Sequence, residues 1–92
     1  MKLKIVAMSN RDVFVGTDED GEYVVLSLDD TRDISLGDNL SHKDWETTGR
    51  ETVKNLTKRE DVEVCIEDWG CSKARAFALL EKLNSPTTIH TL

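Results

Sequence analysis

The chain has 92 residues, 38% of them hydrophobic and 33% charged, with a net charge of −6. That size sets one domain with one compact core as the ceiling, and the composition is that of a soluble globular chain rather than a disordered one. No apolar run approaches the roughly 20 residues of a membrane span, and the start lacks the sustained apolar core of a secretion signal, so a cytoplasmic protein without membrane contact is expected.

Charge is divided unevenly. Residues 1–46 hold five Lys/Arg against eleven Asp/Glu, whereas residues 47–92 hold seven of each. Such an acidic surface repels nucleic-acid phosphates unless the cations gather on one face.

In chain order, Leu3, Ile5 and Ala7 alternate with Lys2, Lys4 and Val6, the period of a first strand. Asn10-Arg11-Asp12 reads as a turn and Val13–Gly16 as a second strand. In Asp18-Glu19-Asp20-Gly21-Glu22 the Asp-Gly pair predicts a two-residue type I′ hairpin, with Tyr23–Leu28 as its partner strand. After a polar loop, Ile34-Ser35-Leu36-Gly37-Asp38 turns the chain into a fourth strand ending near Trp45. Glu51–Lys58 reads as the fifth strand and Val62–Glu67 as the sixth.

The period then changes. Ala76, Leu79, Leu80 and Leu83 recur at helical spacing behind Ser72, a good N-cap, which predicts a helix over about 72–84. Pro86 stops it, and residues 86–92 form a tail or a short strand. The prediction is a mainly β chain, a single domain over 1–92. A barrel of five to six antiparallel strands occupies 1–68 and is followed by one C-terminal α-helix.

The corner Leu36-Gly37-Asp38-Asn39-Leu40, two positions after Ile34, and the hairpin from Trp45 through Asn55-Leu56-Thr57 are similar to the OB-fold. The likeness covers residues 2–68 and departs from that family in having no helix between the third and fourth strands. The ordering also resembles small, uncharacterised single-domain bacterial proteins. Gly37 permits the sharp corner and Asp38 can bond the local backbone, so this motif reads as structural.

Catalytic patterns are weak. Ser41, His42 and Asp44 are neighbours, yet adjacent strand side chains point to opposite faces, so no catalytic residue is assigned and an enzyme is not expected. Two cysteines and two lone histidines lack zinc spacing, and Gly21 falls at position four of a calcium-like loop that needs glycine at six; no metal or cofactor is expected. Cys71 sits beside the predicted helix N-terminus and Lys73, which would favour a reactive or redox-active thiolate.

If Leu3, Ile5, Ala7, Val13, Val15, Val24, Leu26 and Leu28 fill the barrel, then Val6, Met8, Phe14, Tyr23, Val25 and Cys65 point outward. Either the helix covers this face as a second small core, or it is a surface for a protein partner or self-association. The expected function is a non-enzymatic interaction module contacting protein through Met8, Phe14, Tyr23 and Val25, with Asp18–Glu22 as an acidic rim. Resemblance to the OB-fold implies the alternative, single-stranded nucleic-acid binding through Trp45, Lys54, Lys58 and Arg59, with Tyr23 and Trp69 as further stacking platforms. A thiol-based protein centred on Cys71 is the third reading.

Overall fold

The structure is a computed structural model and describes residues 1–9, 12–83 and 89–92. Seven strands and one helix follow in chain order. They are β1 (Lys2–Ser9), β2 (Val13–Asp18), β3 (Tyr23–Leu28), β4 (Asn39–Ser41), β5 (Gly49–Asn55), β6 (Glu60–Cys71), α1 (Lys73–Leu83) and β7 (Ile89–Thr91). The first six close into an antiparallel barrel in the order β1-β2-β3-β6-β5-β4 and back to β1, as predicted in class. No helix among the described residues is long and apolar enough to cross a membrane.

Two apolar clusters divide the interior. Inside the barrel lie Leu3, Ile5, Phe14, Val24, Leu26, Ile34, Leu40, Trp45, Val53, Val62, Val64 and Ile66. Outside it, α1 packs Ala76 and Leu80 onto Ala7, Val13, Val15, Val25 and Cys71, with Tyr23, Phe77 and Ile89 partly buried at the margin. The helix therefore covers the outward face of β1, β2 and β3.

The phase of β1 and β2 corrects the expected inward set. A register shift between Ile5 and Ala7 carries Val6 as the extra residue, so Ala7 comes opposite Val15 and Met8 opposite Phe14. Residues directly opposite share a face, and a bulge shifts which face that is. Leu3 and Ile5 fill the barrel as expected, whereas Ala7, Val13 and Val15 turn to the helix and Phe14 turns inward. Gly16 has no room for a side chain: a Cβ there would lie 2.4 Å from Leu3 Cγ.

The hairpin and the Gly37 corner follow their local signals with one change, and residues 10 and 11 of the expected first turn lie outside the described residues. Asp18 pairs with Glu22, leaving a three-residue loop in which Gly21 alone takes positive φ, at 83°. Asp18 Oδ1 accepts the amides of Asp20 and Glu22 and so holds Asp20 out of the geometry that a type I′ turn demands. At the Gly37 corner, φ is 85° and the buried Asp38 carboxylate accepts from Ser35 N and Asn55 Nδ2 and forms an ion pair with Lys58 Nζ at 3.2 Å. That motif is a structural clamp. Ser72 Oγ accepts the Arg75 amide and caps α1 as predicted. The predicted helix stop at 84–86 lies outside the described residues.

Three strand lengths differ from expectation. The fourth strand is only three residues, and the Asp44 carboxylate takes the Glu46 amide in a turn that drops Trp45 into the barrel end. The fifth stops at Asn55, whose side-chain oxygen accepts the Thr57 and Lys58 amides. The sixth runs on to Cys71, so Trp69-Gly70-Cys71 is strand up to the junction with α1 at Ser72.

Candidate functional site

Four residues expected on an outward patch have parted company. Phe14 is fully buried inside the barrel and Val25 fully buried under α1. Met8 and Tyr23 are half-buried and line two separate grooves, Met8 with Ile34, Leu36 and His90, and Tyr23 with Val6, Phe77 and Leu92. The expected patch is thus split between the barrel interior, with Phe14 and Met8, and the floor under the helix, with Val25 and Tyr23.

The nucleic-acid set divides in the same way. Trp45 is buried and its Nε1–H donates to the Met1 carbonyl at 2.9 Å, so its ring is a barrel plug and not a stacking platform. Lys58 Nζ is spent on Asp38 at 3.2 Å, Ser35 Oγ at 2.7 Å and the Asp33 carbonyl at 3.1 Å. Lys54 and Arg59 are exposed, but they share their groove with Glu60 and Asp61, and Asp61 lies opposite Lys54 in the ladder. Charge there is balanced, which leaves little field to draw a phosphate chain.

Both cysteines are free. Burial, reinforced by the Asp68 carboxylate, pushes the Cys71 thiol up from its ordinary value. A hydrogen bond with Glu67, then burial, does the same at Cys65. This is the reverse of the thiolate-favouring setting expected at Cys71, and Lys73 Nζ lies instead over the Phe77 ring, 5.9 Å from its centroid. His42 Nε2 lies 2.9 Å from Glu51 Oε1 without hydrogen-bond alignment, and its ring meets Trp45 edge-on. Among the described residues no three His, Cys, Asp or Glu side chains converge as metal ligands.

A different site emerges at the end of β6. Beyond Ile66, β5 no longer pairs with it, and Glu67–Cys71 is held on one side only, by β3. Two register shifts along that pairing place the extra residues on β6, and Gly70 takes φ 62°. Bulges bend a strand and re-aim its side chains. Here Trp69 is 39% exposed, the only large aromatic side chain so open among the described residues.

The surroundings of Trp69 are acidic. Glu22 Oε2 reaches within 3.6 Å of where a Cβ at Gly70 would stand, so the β2–β3 hairpin abuts this strand end. Burial pushes the Asp68 carboxyl up, but hydrogen bonds from Arg75 and the Trp69 amide outweigh it and hold the group below its ordinary value. The Arg75 Nε–H donates to Asp68 at 2.9 Å, which also pins the base of the bulge to α1. On the hairpin's other flank, Asp18, Glu19, Asp20, Glu22 and Glu46 line a crevice of about 60 Å³ with Met1 and Trp45. That volume would hold ~2 water molecules, or one ammonium or guanidinium group.

Sequence reasoning placed the acidic rim on Asp18–Glu22 and noted Trp69 only as a stacking platform. The signal it passed over was Gly70, a glycine inside an apolar-alternating run, which marks a bulge. Compared with protein-family models, curated proteins and solved structures, the chain matches none of them.

Proposed function

We propose that the chain is a non-enzymatic protein-interaction module with an OB-like barrel, and that it captures a basic segment of a partner protein on the rim made by the β2–β3 hairpin and the free end of β6. The observation that carries this reading is Trp69, exposed on a bulged strand end that pairs on one side only, beside a hairpin with four acids in five residues. An aromatic face next to carboxylates suits an Arg or Lys side chain, which gains cation–π attraction on one side and ion pairing on the other. The outer edge of Glu67–Cys71, which no strand pairs among the described residues, can add a short extended segment, with the Trp69 amide already held by Asp68 Oδ1. Acidic charge concentrated in residues 1–46 would steer a cationic partner to this end. Two free thiols fit a reducing, cytoplasmic setting.

The test is a tryptophan-fluorescence titration with an arginine-rich decapeptide and, separately, a ten-residue oligothymidylate, at low and physiological salt. The expected outcome is a saturable change with the peptide that Trp69→Ala weakens several-fold by calorimetry, and no response to the oligonucleotide. Quenching by the oligonucleotide with a silent peptide would instead favour single-strand binding through Lys54 and Arg59.

A further inference from the structure

The edge of β1 opposite β2 is shared between two short strands. Its first half, Lys2–Lys4, pairs with β4. Its second half pairs with β7, in the register Ala7↔Thr91, Met8↔His90 and Ser9↔Ile89, and the Leu92 amide donates to the Val6 carbonyl at 3.0 Å. The seat is well built: Ala7 and Ser9 are fully buried.

The strand in that seat is held thinly. Only Ile89 reaches an apolar cluster, and it is half-buried, whereas His90 and Thr91 are exposed and Leu92 is 65% exposed. The outer edge of β7 is unpaired among the described residues. Grooves run along both flanks, about 280 Å³ bounded by Val6, Tyr23, Phe77 and Leu92, and about 470 Å³ bounded by Met8, Ile34, Leu36 and His90. A strand with one anchor side chain and a few ladder bonds leaves its site at small local cost.

We infer that the Val6–Ser9 edge of β1 is a strand-accepting site, and that its occupant in an assembled form of the protein is residues 89–92 of a second copy. The seated strand supplies the argument for that occupant. Its sequence fits the register, its contacts are reproduced without change when it arrives from another molecule, and the exchange is reciprocal, which gives a closed two-fold dimer. The chain's own strand competes as a tethered ligand, so exchange sets in at high protein concentration or once that strand is weakened. This site uses neither Trp69 nor the Asp18–Glu22 hairpin, and Trp69→Ala is expected to leave it unchanged.

A fluorescein-labelled peptide with the sequence of residues 87–92, Thr-Thr-Ile-His-Thr-Leu, titrated into the 92-residue chain, tests the inference by anisotropy. The wild-type chain binds weakly, and Ile89→Ser, which loosens the resident strand but leaves the seat intact, binds about ten-fold or more tighter because the open fraction rises. Equal binding by wild type and variant, or by a scrambled peptide, would overturn it. Sedimentation of the wild-type chain gives a second check that needs no variant. A dimer that grows toward ~1 mM, the effective concentration of a short tether, is expected. A monomer throughout that range would contradict the inference.

Discussion

The β5–β6 turn and the β2–β3 hairpin are both tight reversals of the same barrel, and they do opposite things with their polar groups. At the β5–β6 end, Asn55 and Lys58 fold back onto the buried Asp38 carboxylate, so Lys58, one cation of the expected binding stripe, is a joint of the fold. At the β2–β3 end, Asp18 closes its own turn by local bonds and leaves Glu22 exposed beside Gly70, the chain neighbour of Trp69. A charged side chain is free to recognise a partner only where the fold has not already employed it, and residue type alone does not reveal which case holds.

The sharpest break of this contrast is Asp38→Ala. It strips Ser35 N and Asn55 Nδ2 of their shared acceptor and Lys58 of its counter-charge, and should cost about 3 kcal/mol in urea unfolding, at the level of a buried charge pair losing one member. Lys58→Met leaves Asp38 with its two neutral-donor bonds, so a smaller loss of about 1–2 kcal/mol is expected by the same measurement. Were Lys58 a ligand-facing cation instead, that substitution would leave the midpoint unmoved. Trp69→Ala should change stability by less than about 0.5 kcal/mol, since the indole is largely at the surface, while weakening capture of a basic peptide. The smallest effect is chemical: in the native chain at pH 8.5, iodoacetamide should modify Cys71 several-fold more slowly than it modifies the same residue in urea, because burial and Asp68 hold the thiol protonated. Native labelling as fast as unfolded labelling would remove that account.

Much of the barrel was legible because its signals are local. Ser72 caps a helix from its own position, Gly37 makes a corner by its own φ, and alternation in Val62–Ile66 needs no partner to be read. What escaped was decided between strands. The shift at Val6 comes from the pairing of β1 with β2 and reverses the facing of Ala7 and Met8, while β2 takes its phase from Gly16 lying opposite Ile5, which turns Phe14 inward and Val13 and Val15 to the helix. The length of β6 past Ile66 depends on β3 continuing beside it where β5 does not. Trp45 and Trp69 differ for the same reason. One meets the Met1 carbonyl across 44 residues of chain, and the other stands on a strand end with a single neighbour. The acidic rim was readable as composition, whereas its junction with Trp69 exists only in the folded barrel.

The most direct test of the central claim is a two-dimensional amide and indole NMR spectrum of the full chain, recorded with and without the arginine-rich decapeptide. The account predicts that the Trp69 indole and the Asp18–Glu22 amides shift together and saturate, while Lys54 to Arg59 stay in place. Shifts confined to Lys54–Arg59, or none at Trp69, would contradict it.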